Sequence, residues 1–361
     1  MNNYRKRRWI LSLLLIISLC SHENSIAQQR AKWRVKNRLQ TSYEFDSNIR
    51  ETSSDSVHKI EDSSLKFLFH SRAFRTSPKT RITFTYRGGL QTYFQNSIEN
   101  KLINEIETTA HLKVQKFALG FRGSGRLKIY LNDILDYVMG SAEVYLRLPP
   151  ILNFGSEIAL KSGGLNYQNF SAFDYSDIQL RWVISKIVAS RFIWNFELSS
   201  KLVKYDRSIQ IFIPAEDNTL AELAVNQTDK NYKLLIQLGY TKSFLLNLTY
   251  TFQRNNSNSF GYSYNKNQFI VIFGFPFAGG IWLRGFSAIQ TKNYTEKTFP
   301  IFPLDIDTER EESNFFVLDF SKDIRPNITA LIRIAYYNNE SVIRSQFYQK
   351  TIFTVGFDLR L

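Results

Sequence analysis

The chain of 361 residues holds one cysteine, Cys20, which lies in a stretch read below as a removable leader. Without it, disulfides and thiol chemistry are both excluded. Proline numbers 8 and glycine 16, too few for a disordered or collagen-like chain. Histidine numbers 4. His22 falls in the leader, His58 in a polar connection, and His70 and His111 on strands separated by another strand. No metal spacing, phosphate loop or hydrolase elbow emerges, so neither an enzyme nor a cofactor is expected. Mean hydropathy is −0.26, and beyond the N-terminus no apolar run reaches the roughly 18 residues that a membrane helix needs. That excludes a helical membrane protein. It does not exclude a membrane barrel, in which only alternate residues meet lipid.

Aromatic residues and positive charge are plentiful. Phe numbers 30 and Tyr 19, and the formal net charge is +14. The bases recur at alternate positions along strands and form no tract, so nucleic acid is not the expected partner. The first residues read as a secretion signal over 1–27: Arg5, Lys6, Arg7 and Arg8, then an apolar run from Trp9 to Leu19, then the small-x-small site Ser25-Ile26-Ala27. The mature chain is then 28–361. A rival reading takes Ile17-Ser18-Leu19-Cys20 as a lipoprotein box, although Leu19 is large for the position before such a cysteine.

From Lys32 onward, oily and polar residues alternate. In the last strand Phe347, Gln349, Thr351, Phe353, Val355, Phe357, Leu359 and Leu361 share one face, while Lys350, Asp358 and Arg360 share the other. Left unpaired, such a strand is an aggregation hazard. Paired with the first strand, it closes a cylinder. Near the middle, Gln115-Lys116 reads as a two-residue turn that pairs Val114 with Phe117 and Glu105 with Arg126. Hydropathy puts both members of each pair on matching faces, so turn and pattern predict the same register. About sixteen strands can be traced. Their connections alternate between short ones (Thr76–Lys79, Gln115–Lys116, Pro149–Pro150, Lys242–Ser243, Phe277–Gly280) and longer ones (Ser47–Ser63, Asp206–Asp229, Tyr294–Ser313). Many strands read as ten residues or more, long for a soluble sandwich or propeller.

The closing strand resembles those of Gram-negative outer-membrane β-barrels, which often end in an aromatic residue read by the barrel assembly machinery. Here Leu361 is last, with Phe357 and Phe353 on its face. The resemblance implies an all-β fold: a transmembrane antiparallel up-and-down barrel with short periplasmic turns and longer extracellular loops. It also implies outer-membrane lipid and the assembly machinery as partners, with the oligomeric state open. Tyr43-Glu44-Phe45-Asp46-Ser47-Asn48 is similar to a Tyr-x-x-Asp-Ser-Asn stretch in porin-like barrels and in the barrel domain of surface lipoprotein assembly modifiers. Those modifiers carry a helical-repeat domain before the barrel, for which 28–32 leaves no room. Barrels that export acidic polysaccharide are similar in their basic lining and work with periplasmic partners.

The faces opposite the oily ones would line the interior. The candidate pore-lining residues are Arg34, Arg38, Arg72, Arg87, Glu105, Glu107, Lys113, Arg122, Arg126, Glu143, Arg147 and Arg181. Many of these charges are expected to pair across strands. Bases outnumber acids there, and rings of Arg and Lys favour anions. The expected function is diffusion of small, preferably anionic, solutes. The alternatives are a secretion barrel for a polymer or lipoprotein, and a structural barrel with a plugged lumen. Two connections carry acids, Glu216, Asp217, Glu222 and Asp229 in one and Asp305, Asp307, Glu309, Glu311 and Glu312 in the other. They are read as solvated loops, or as sites for divalent cations or a constriction.

Overall fold

The computed structural model describes residues 32–51, 59–130, 136–189, 191–214, 220–259, 262–295, 314–339 and 348–361. Among them sixteen strands follow in chain order. The first eight are β1 (Arg34–Asp46), β2 (Asp62–Thr76), β3 (Thr80–Tyr93), β4 (Lys101–Val114), β5 (Phe117–Tyr130), β6 (Tyr137–Ile151), β7 (Phe154–Tyr167) and β8 (Tyr175–Val188). The rest are β9 (Phe192–Pro214), β10 (Leu220–Thr241), β11 (Leu245–Ser257), β12 (Tyr264–Phe277), β13 (Ile281–Tyr294), β14 (Asn314–Arg325), β15 (Ile328–Asn339) and β16 (Tyr348–Arg360). Each pairs antiparallel with its sequence neighbours, and β1 pairs with β16, so the sheet closes with no free edge. The expected leader over 1–27 lies outside the described residues.

Register explains why this sequence closes. Directly opposed residues in an antiparallel pair share a face. Val114 opposes Phe117 and Glu105 opposes Arg126, as the Gln115-Lys116 turn requires. At the closing seam Tyr43 opposes Val355 and Phe45 opposes Phe353, while Glu44 opposes Thr354. Followed through every pairing, the oily parity returns to the face from which it started. On the outer face Val144, Leu160 and Leu180 are 53%, 54% and 57% exposed. So continuous an apolar surface suits lipid, not water. Many of the buried side chains are polar or charged, Glu44, Glu143, Glu157 and Asp358 among them, so the usual polarity of a protein interior is inverted.

Connections alternate in length. The short ones are 77–79, 115–116, 152–153, 189–191, 242–244, 278–280 and 326–327. The longer ones join the opposite ends of the strands and include 47–61 and 295–313. Two sequence expectations are corrected. Pro149 and Pro150 do not form a turn but lie in β6, where the register with β7 shifts between Leu148 and Ile151. Proline cannot donate to a ladder, so it sits at the irregularity. The reversal falls three residues later, at Leu152 and Asn153, with φ of 52° and 66°, the backbone of a tight hairpin turn. Nor is Asp206–Asp229 a loop. β8 stays paired with β9 only as far as Tyr205, and β11 with β10 only as far as Asp229. Beyond those points β9 and β10 continue as a two-stranded ribbon, pairing from Ser208↔Asn226 to Pro214↔Leu220.

Candidate functional site

The lumenal wall consists of the residues on the polar parity. All twelve candidate residues share that parity when the opposed positions are followed from β1 to β8. The strands bring most of them together. Arg87 grips Glu107 with two bonds of 2.7 and 3.1 Å and reaches Glu105 at 3.4 Å, and Arg126 Nε donates to Glu105 at 2.7 Å. Farther round, Glu157 on β7 accepts from Arg122 on β5 at 2.9 and 3.1 Å, from Arg147 on β6 at 2.8 Å and from Arg181 on β8 at 2.9 Å. Glu143 accepts from Arg122 and, at 3.0 Å, from Arg181. The belt continues through Glu197, which lies 3.7 Å from Arg181 and 2.8 Å from Lys233. The guanidinium of Arg122 lies 3.9 Å from the centre of the Tyr145 ring. This contact is favourable for a planar cation.

Arg38 pairs with Asp358 across the closing seam. Asp319 is shared by Arg333 at 2.5 Å and Arg284 at 3.5 Å. The remaining candidates, Arg34, Arg72 and Lys113, reach no acid among the described residues. Lys36 and Arg81 share that property. These five bases stand exposed on β1 to β4, toward the ends joined by short turns. The wall is therefore graded: an ion-paired belt at mid-height, and uncompensated bases toward one mouth.

Sequence reasoning missed the opposite mouth. Tyr93, Tyr130, Tyr137, Tyr167, Tyr175, Tyr205, Tyr264 and Tyr294 share the lumenal parity near the long connections, with Tyr137↔Tyr167, Tyr175↔Tyr205 and Tyr264↔Tyr294 directly opposed. Basic side chains lie over them: Lys128 is 4.7 Å from Tyr130, Arg207 4.6 Å from Tyr205 and Lys292 4.1 Å from Tyr264. A membrane girdle would point these rings outward. The available signal was parity, since Tyr130 stands two residues after the inward Lys128. The lumen also holds apolar residues. Trp282 and Phe286, which blur the alternation of their strand, face inward, as their pairing opposite Pro276 and Ile272 requires.

A cavity of about 1150 Å³ lies between β1–β5 and β13–β16, where bases such as Lys101, Lys128 and Arg333 outnumber the acids Glu44, Asp46, Glu51, Glu99, Glu105 and Asp319, and Leu68, Ile103, Leu331 and Ile352 add apolar surface. A second, of about 670 Å³, lies nearer the short turns beside Lys36, Arg72 and Arg360. His70 and His111 lie on β2 and β4 with β3 between them. His111 Nδ1 is 3.5 Å from the Tyr145 hydroxyl. Among the described residues no group of His, Cys, Asp and Glu is arranged to hold a metal. Of the acids expected in loops, Asp229 lies buried in β10, accepting from Gln227 and Asn255 at 3.0 Å each. It is therefore a wall residue and no loop acid. Glu222 also lies in β10. Glu216, Asp217, Asp305, Asp307, Glu309, Glu311 and Glu312 lie outside the described residues.

No family model matches the chain, and no curated protein does. Solved structures do. An anion-selective porin from Comamonas acidovorans aligns over 92% of this chain and 100% of its own, with a TM-score of 0.50 at 7% identity. A BenF-like porin from Pseudomonas fluorescens Pf-5 covers the same shares, with a TM-score of 0.48 at 9% identity. OmpT of Vibrio cholerae aligns over 94% of this chain and 100% of its own, with a TM-score of 0.45 at 7% identity. The chain has the closed sixteen-strand fold of a porin-like outer-membrane barrel.

Proposed function

We propose that this protein is an outer-membrane pore through which small solutes diffuse, anions in preference to cations. The observation that carries the reading is the surplus of lumenal base. After the acids of the belt are matched, Arg34, Lys36, Arg72, Arg81 and Lys113 still have no acidic partner among the described residues. Uncompensated positive charge on a water-facing wall raises the local concentration of anions and lowers that of cations. Sixteen strands enclose a cylinder wide enough for water. An N-terminal signal over 1–27 would deliver the chain, and the assembly machinery would insert it among outer-membrane lipids.

Planar-bilayer conductance tests this. Stable open steps are expected, with a reversal potential favouring chloride in a potassium chloride gradient. Replacing Arg72, Arg81 and Lys113 together by Gln should move that potential toward potassium. A barrel that never conducts, or whose selectivity ignores those replacements, overturns the proposal. A barrel that conducts only with a periplasmic protein added would favour polymer export instead.

A further inference from the structure

We propose that the 1150 Å³ lumenal cavity is a binding site for an amphipathic organic anion, a carboxylate on an apolar body, with Lys101 as its anchor and Leu68 and Ile103 as its apolar floor. This deepens the pore reading and depends on it only for access.

Lys101 begins β4 in the lumenal row Lys66–Gln91–Lys101–Tyr130. It has no ion pair among the described residues. Its ammonium lies 5.9 Å from the centre of the Tyr93 ring. Lys128, Lys350 and Lys66 act on it with like charge, and Glu44 and Asp46 with the opposite one. The acids nearby are engaged elsewhere. Glu44 holds Lys66 at 3.4 Å and accepts from Gln91 at 2.9 Å. Asp46 and Glu51 hold Lys350 at 3.7 and 2.8 Å. A half-buried ammonium among other cations is a place where an incoming carboxylate gains more than it loses in hydration.

The adjoining row supplies the rest. Leu68, Gly89 and Ile103 are directly opposed in sequence across β2, β3 and β4. The missing side chain at Gly89 leaves a notch between the two aliphatic residues, since a Cβ there would lie 3.0 Å from Leu68 Cδ2. Leu331 and Ile352 face the same cavity from β15 and β16. A wall built to pass only inorganic ions gains nothing from such residues, whereas a hydrocarbon body loses contact with water against them.

The test is calorimetric titration of the folded protein in a neutral maltoside detergent, with micelle-only titrations subtracted and folding checked by the mobility of unheated samples on gels. The probes are hexanoate, acetate, hexan-1-ol and inorganic phosphate. Hexanoate is expected to bind at least tenfold tighter than acetate, and hexan-1-ol not measurably. Lys101→Gln should weaken hexanoate at least tenfold. Ile103→Asn should weaken hexanoate and leave acetate unchanged. Lys186→Gln, on the lipid face, should change neither. Equal affinity for acetate and hexanoate, tighter binding of phosphate than of hexanoate, or no effect of Lys101→Gln would overturn the site. Hexanoate binding to a barrel that never conducts would keep the site and sink the pore. Conduction without hexanoate binding would do the reverse.

Discussion

Glu157→Gln is the most telling single change in the wall. Glu157 accepts four hydrogen bonds from three guanidiniums, on β5, β6 and β8, and its side chain is 10% exposed. A glutamine keeps one acceptor oxygen and loses the charge. Hydrogen bonds to charged groups contribute roughly 1.5–3 kcal/mol each when buried. Here the guanidiniums keep access to water, Arg147 at 50% exposure most of all, and Glu143 still holds Arg122 and Arg181. The expected loss is therefore about 2–3 kcal/mol, less than the separate bonds would add up to. The same change uncovers one positive charge at mid-lumen. For an ion passing at about 7 Å in water-like surroundings, one charge contributes about 0.6 kcal/mol, roughly a threefold enrichment of anions and a similar depletion of cations before screening. The shift should be clear in 0.1 M salt and nearly vanish in 1 M, where the screening length falls to about 3 Å. Urea unfolding in micelles reads the stability, and reversal potentials at both salt concentrations read the selectivity. Glu157→Gln with Arg147→Gln should return the selectivity to near its starting value. Unchanged stability together with unchanged selectivity would mean that the belt neither braces the wall nor faces the ion path.

Three further changes probe the fold. Leu180→Arg puts a charge on the lipid face of β8 and should cost about 2–4 kcal/mol in unfolding from liposomes. No loss would mean that this face does not meet hydrocarbon. Gly356 lies on the closing seam, where a Cβ would stand 2.4 Å from the carbonyl oxygen of Thr41. Gly356→Val should therefore cost about 1–3 kcal/mol and lower the folded fraction on unheated gels, while Gly125→Ala, with nothing within 4 Å of its Cβ, should be tolerated. Asn153 has a φ of 66° in the β6–β7 turn, so Asn153→Gly should be neutral or stabilise by up to about 1 kcal/mol in thermal unfolding. A clear loss there would place the reversal elsewhere.

Much of the barrel was legible because its strongest constraint is local. A strand between lipid and water must alternate, so Phe353, Val355 and Phe357 declare their face without reference to anything distant. The turn at Gln115-Lys116 fixed one register by chain geometry alone. The errors came where local signals have two readings. Pro149 and Pro150 mark a turn or a bulge equally well. The polar residues around Asp206 and Asp229 suggest a loop until β9 and β10 are seen to continue past their neighbours.

Alternation along the backbone by itself determined the strands, the parity of each side chain and so the list of lumenal charges, because period two requires no knowledge of the partner strand. Beyond Glu105 with Arg126, which the hairpin turn already paired, only the tertiary structure decided which charges meet. Arg122 reaches past β6 to Glu157 on β7, and Arg181 on β8 reaches back to Glu143 on β6. The tilt and closure of the cylinder set these contacts, and sequence separation does not encode them. The same closure gathers the inward tyrosines at one mouth and leaves Lys101 among cations, since β4 meets β16 across the lumen only once β1 and β16 have joined.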